Sequence, residues 1–167
     1  MGYLDKKGGT IYANLTGKFP ITSLHGISAL FIMYDWTTNA ILATPIKDAK
    51  ADTIVECFKE KVEYLSKRGF KLRYNIIDNV ATTAIKTYLE TQDIIVQFVE
   101  PHNHRVNAAE RAIQTFKNHT IVGLCACDNK FPSTLWDQII RQSQDTLNML
   151  QTSRVHPKLS AYHVLEG

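Results

Sequence analysis

Residues 27–46, ISALFIMYDWTTNAILATPI, carry the reading on which the fold turns. An apolar, β-rich run reaches Trp36, a polar turn follows at Thr37, Thr38 and Asn39, and a second β-rich run covers residues 40–46. Two such runs joined by so short a polar break predict adjacent antiparallel strands. Just before them, residues 11–16 (IYANLT) have the length and composition of another strand. The three together predict a meander.

Working outward, Ile54, Val55, Phe58, Val62 and Leu65 recur at helical spacing, which predicts a helix over residues 50–68 that stops at Gly69. Residues 71–77 then read as a strand, 83–89 as a short helix and 94–99 as a strand. From Asn107 onward the strand signals cease. Residues 108–125 predict a long helix and residues 134–150 a second, whose apolar stripe of Leu135, Trp136, Ile139, Ile140, Leu147 and Leu150 belongs in a core. An antiparallel three-strand meander extended by helix-connected parallel strands and closed by helices is an α/β sandwich around a mixed five-stranded sheet. Residues 1–9 (MGYLDKKGG) show no period and read as a flexible lead-in, leaving 10–167 as one domain.

The 167 residues, 44% hydrophobic and 21% charged, suit a single core and exclude two large domains. The longest apolar run, residues 27–34, falls far short of the roughly 20 residues of a membrane span, and Met1 opens no basic-then-apolar leader. A soluble, intracellular protein, nuclear or cytoplasmic, is expected. Nineteen basic against sixteen acidic residues leave +3, spread along the chain, so charge alone names no partner. Three cysteines, Cys57, Cys125 and Cys127, form no disulfide framework and read as small buried or half-buried thiols in a reducing compartment. Joining Cys125 and Cys127 with His102 and His104 into a zinc site fails on spacing, because one-residue gaps are shorter than zinc pairs use.

Carboxylates at strand ends and helix starts are where a hard cation would be held. Asp78 follows the apolar end of the 71–77 strand, where the competing reading is a turn residue. Glu110 falls in the first turn of the 108–125 helix, where a carboxylate also complements the helix dipole. Lys117, two turns on, returns to nearly the face of Glu110, with Gln114 about 40° away. Such a face offers a metal ligand at one end and a phosphate contact at the other.

These residues also carry a resemblance. PHNHRVNAAERAIQTFKNH, residues 101–119, resembles the signature around the catalytic glutamate in integrases of copia-type LTR retrotransposons, members of the retroviral-type DDE family. IIDNVAT, residues 76–82, is similar to the segment with their second catalytic aspartate, and IYANLTGKFP, residues 11–20, to the strand with the first. Thirty-one residues separate Asp78 from Glu110, which suits that arrangement. FPSTLWDQ and the terminal KLSAYHVLEG extend the likeness to the end of the chain. The resemblance implies an RNase H-like fold that gathers three metal-binding side chains, here Asn14, Asp78 and Glu110, around Mg²⁺ or Mn²⁺. It implies 3′-end processing and strand transfer of DNA, endonuclease and transferase chemistry by two-metal phosphoryl transfer, with element ends and target DNA as partners and a homo-oligomer as the working form. It also assigns Lys117 to DNA, and Gln114 and Arg111 on the same helix are further DNA-binding candidates.

The main departure is Asn14, which stands where the family has its first aspartate. An amide keeps an oxygen ligand but loses the charge, and a net loss of about 4 kcal/mol is about a thousandfold in rate or occupancy. Impaired activity is therefore expected, and a non-catalytic DNA-binding or self-association module of a decayed element is the alternative. A structure-selective nuclease of the same superfold ranks lower, since the 101–119 run points elsewhere. Asp35 is not expected to substitute for the missing aspartate, because it sits at the hairpin turn for local reasons, and Asp5 lies in the lead-in. Val80 replaces an expected glutamate. The sequence shows neither the His and Cys zinc module before such a core nor a DNA-binding domain after it, which implies a fragment or a decayed copy. The basic group Lys67, Arg68, Lys71 and Arg73 reads as a solvated loop, and His102, His104 and His119 as surface or backbone-bonded histidines.

Overall fold

The computed structural model describes residues 8–77, 83–98 and 108–167. Five strands form one mixed sheet in the order β3-β2-β1-β4-β5. The strands are β1 (Thr10–Leu15), β2 (Ala29–Asp35), β3 (Ala40–Ile46), β4 (Tyr74–Ile77) and β5 (Ile95–Phe98). β1 and β2 pair antiparallel, as do β2 and β3, while β1 with β4 and β4 with β5 are parallel. The helices are α1 (Ala51–Lys67), α2 (Thr83–Thr91), α3 (Ala108–Cys125), α4 (Ile140–Leu150) and α5 (Ala161–Glu166).

Every residue of β2 is buried, which explains its run of apolar residues without alternation: the strand is covered on both faces. One face packs Ile11, Ala13, Phe31, Met33 and Leu42 against α1, α2 and α5, with Phe58 at the centre. The other packs Tyr12, Leu30, Ile32, Tyr34 and Ile41 against α3 and α4, with Phe116 at the centre. Both phenylalanines are fully buried, and such a side chain is worth about 3 to 5 kcal/mol against alanine.

Local signals end the elements as physics requires. At the end of α1, the Phe70 amide bonds the Leu65 carbonyl and the Gly69 amide bonds Ser66, a closing turn that places Gly69 at φ +82°. α5 is capped by Ser160, whose hydroxyl accepts the His163 amide at 3.1 Å. Gly9 is already tied to the sheet: its carbonyl accepts the Arg73 amide at 2.8 Å, and a Cβ there would lie 2.5 Å from the Lys71 carbonyl oxygen.

β3 is an edge strand whose open side is covered by α4 instead of another strand. The Asn148 side chain, 1% exposed, accepts the Ile41 amide and donates to the Ile41 carbonyl, both at 2.9 Å. One turn earlier, Gln144 accepts the Ala43 amide at 2.8 Å. Two amides four residues apart thus occupy β3 backbone groups that would otherwise invite a foreign strand.

The helix predicted over residues 134–150 is two elements. Ser133–Ile139 is a 3₁₀ segment with non-helical backbone at Leu135 (φ −99°, ψ 16°), and α4 begins only at Ile140. Tertiary contacts divert the segment. The Thr134 carbonyl accepts the Leu24 amide, the Trp136 indole donates to the Ile21 carbonyl at 2.9 Å, and its ring stacks on Phe19 at 4.5 Å. β4 also starts at Tyr74 rather than Lys71, and Ala161–Glu166 form α5, which the sequence pattern does not predict.

Candidate functional site

Asn14 lies near the C-terminal end of β1, opposite Ile32 of β2. Strand alternation places it with Tyr12 on the sheet face that packs against α3. It is half-buried, and its side-chain oxygen accepts the Leu15 amide at 2.8 Å. An amide oxygen has a second lone pair, so this bond leaves one acceptor position open.

On the other side of β1, the parallel ladder with β4 runs among the described residues to the pair Ala13 and Ile77, the residues immediately before Asn14 and Asp78. Asp78 itself lies outside the described residues, as do Asp5, Val80, His102 and His104. Glu110 is half-buried in the first turn of α3, the helix packed over β1 and β2. The backbone therefore brings the elements bearing Asn14 and Glu110 together over one sheet face.

Lys117 holds these two elements in register. Its Nζ donates to the Thr16 carbonyl at 2.8 Å and sits 5.7 Å from the centre of the Phe19 ring. Thr16 is two residues past Asn14, so the lysine seven residues beyond Glu110 reaches the end of β1. An ammonium has three donors, and this bond uses one. Gln114 is exposed and bonded to Asn118 at 2.8 Å, and Arg111 is exposed at the start of α3.

Asp35 plays the local part expected of it. It is fully buried, and one of its oxygens accepts both the amide and the hydroxyl of Thr38, at 2.8 and 2.6 Å. It pairs across the ladder with Ile11, near the N-terminal end of β1 and away from Asn14. Burial pushes its carboxyl above the usual range, against the pull of the Thr38 bonds.

Among the described residues no three His, Cys, Asp or Glu side chains cluster as metal ligands. On these two packed elements, Asn14 offers an amide oxygen and Glu110 a carboxylate. Their oxygen chemistry fits a hard divalent cation, with one formal charge where a pair of carboxylates would supply two. Cys57 is buried and Cys127 half-buried, but Cys125 is exposed at the end of α3. No helix among the described residues is long and apolar enough to cross a membrane.

Sequence reasoning missed the surroundings of Arg111. The guanidinium group of Arg154 stacks 4.0 Å from the Trp36 ring centre and donates to the Tyr34 hydroxyl at 2.9 Å. No sequence signal links residues so far apart.

A five-stranded mixed sheet in this order, covered by helices on both faces, is the RNase H-like fold of retroviral integrase catalytic cores. The chain superposes on the catalytic core of BIV integrase with a TM-score of 0.67 at 12% identity, covering 95% of this chain and 93% of that one. The HTLV-2 integrase core, solved in complex with magnesium in a trimeric form, gives 0.66 at 16% identity, covering 95% and 97%. A chain of the simian T-cell lymphotropic virus intasome in complex with PP2A regulatory subunit B56 gamma gives 0.70 at 13% identity over 96% of this chain, which spans 55% of that one. No protein-family model and no curated protein matches the sequence.

Proposed function

We propose that this chain is an integrase catalytic core of the copia-type retrotransposon kind, acting on DNA ends and target DNA as a homo-oligomer, with 3′-end processing and strand transfer impaired at Asn14. The observation that carries this reading is the Lys117 to Thr16 bond, which registers α3 over β1 so that the elements bearing Glu110 and Asn14 face one another. The shared fold with retroviral integrase cores supports it. Asp78, directly after β4, completes the set on the sequence pattern.

Glu110 and Asp78 would hold Mg²⁺ or Mn²⁺, with the Asn14 amide oxygen as a neutral third ligand. Such ions, when bound, stabilise the attacking and leaving oxygens of a phosphodiester displacement. The chain's own residues position the strand: Lys117 keeps two donors for a backbone phosphate, and Arg111 and Gln114 lie on the same helix. Asn14 withholds the negative charge that would draw the ion tightly to the end of β1, and activity falls with it.

The test compares the chain with Asn14→Asp, measuring Mn²⁺ binding by calorimetry and strand transfer or its reversal on labelled DNA. The variant is expected to bind metal more tightly and to gain on the order of a thousandfold in rate. Equal rates would overturn the role given to Asn14. A variant that binds DNA yet stays inactive would favour the non-catalytic module.

A further inference from the structure

Beside the first turn of α3, a cavity of about 260 Å³ is lined by Tyr34, Trp36, Asn39, Arg111, Gln151 and Arg154 among others. Asn14 is not part of it. The described lining contains two arginines and no carboxylate. We propose that this cavity is a phosphate-binding site, in which the guanidinium groups of Arg111 and Arg154 grip one phosphate group of a nucleic-acid strand or of a free phosphate. The inference stands on these side chains alone and does not need the metal-site reading above.

Arg154 is held in place before any ligand arrives. Its Cζ lies over the Trp36 ring, 4.0 Å from the centre, and its Nη2 donates to the Tyr34 hydroxyl at 2.9 Å and to Asn39 Oδ1 at 3.3 Å. The Tyr34 hydroxyl in turn donates to Asn39 at 2.7 Å, and Asn39 donates to the Thr152 carbonyl at 2.9 Å. Asn39 adopts φ +64° at the β2 to β3 turn, a conformation that asparagine tolerates better than most residues, so the turn itself aims this side chain. A long side chain held this way has already lost much of its rotamer freedom, so less is lost on gripping a ligand. Among the described residues its Nε and Nη1 have no acceptor.

Both guanidinium charges also lack compensation among the described residues. Arg111 and Arg154 line the same cavity, and both lower the pKa of the buried Tyr12 phenol, which burial and then Tyr34 raise. Neither arginine has a carboxylate partner among the described residues. The first turn of α3, which lines the same cavity through Ala108, adds the positive end of the helix dipole. Two guanidinium forks that no described carboxylate neutralises, beside a helix start, favour an anion, and the planar fork matches phosphate oxygens.

The experiment follows the indole N–H signals of the two tryptophans, Trp36 and Trp136, by NMR while the full chain is titrated with inorganic phosphate and, separately, with a ten-nucleotide single-stranded DNA. The Trp36 signal is expected to move with a saturable curve, and the Trp136 signal, bonded to the Ile21 carbonyl elsewhere, to stay. Arg111→Met, which removes an exposed side chain, should weaken binding at least fivefold and lower the salt slope for the DNA by about 0.7. Arg154→Lys keeps a charge but loses the fork and the stack, and should weaken binding similarly. Movement with phosphate alone assigns the site to free phosphate, and tighter binding of the DNA assigns it to a strand backbone. A Trp36 signal that moves with neither probe, or binding unchanged in both variants, overturns the proposal.

Discussion

Lys117 of α3 donates to the Thr16 carbonyl at the end of β1, 2.8 Å away, and so couples the helix that carries Glu110 to the strand that carries Asn14. The bond is half-buried and charge-assisted. Lys117→Met should therefore lower stability by about 1 to 2 kcal/mol, read as a lower urea midpoint at unchanged slope. An unchanged midpoint would show that the tether contributes nothing to the fold.

The closure of the β3 edge rests on Asn148. Asn148→Ala strips partners from the buried amide and carbonyl of Ile41 at once, and should cost about 2 to 4 kcal/mol. Hydrogen exchange at the Ile41 amide should accelerate more than at Met33, in the interior strand β2, once the global loss is subtracted. Equal acceleration at both would mean that the edge is protected by something other than this side chain.

Asp35 makes a pH prediction. Its folded pKa is raised by burial above the unfolded value, so the carboxyl favours folding when protonated and opposes it once ionised. Its contribution therefore declines as pH rises from the unfolded value, about 3.9, through the raised folded value. Asp35→Asn keeps an acceptor for Thr38 and removes the charge. The variant should be as stable as the parent or more so at pH 7, and should lose that advantage near pH 4 in parallel denaturation curves. An advantage constant with pH would contradict a raised carboxyl.

The opposite sign is expected at Glu166, which joins α5 to α1. The Tyr64 hydroxyl, and then the Arg68 guanidinium at 2.7 Å, hold its carboxyl below the usual range. Stability from this depressed carboxyl is present above the unfolded value of about 4.3 and is lost as pH falls through the folded one. Glu166→Gln should cost about 0.5 to 1 kcal/mol at pH 7 and nothing well below pH 4. A cost that persists in acid would assign the effect to packing.

Much of this molecule is legible from local pattern. Residues 108–125 and 40–46 have the bounds in the structure that periodicity assigns them, as α3 and β3. The late start of α4 has a tertiary cause. Residues 134–139 read as helix because Leu135, Trp136 and Ile139 have helical spacing, yet the Thr134 carbonyl and the Trp136 indole are bonded to residues in the 21–24 loop. The turn role of Asp35 was legible because the atoms that satisfy it are three residues away. At the candidate site, Asn14 and Glu110 stand on the strand and helix assigned to them.

What the sequence determined by itself is therefore what depends on near neighbours: the strand and helix segments, the mixed sheet that their order demands, and the candidate residues. Tertiary structure alone decided which distant groups meet. Lys117 finds Thr16 across 101 positions, Asn148 finds Ile41 across 107, and Arg154 finds Tyr34 across 120. Periodicity reports which face of an element is apolar, because that face repeats along the chain. A single polar bond between two elements leaves no repeat, and only the packing of α3 and α4 on the sheet brings its partners together.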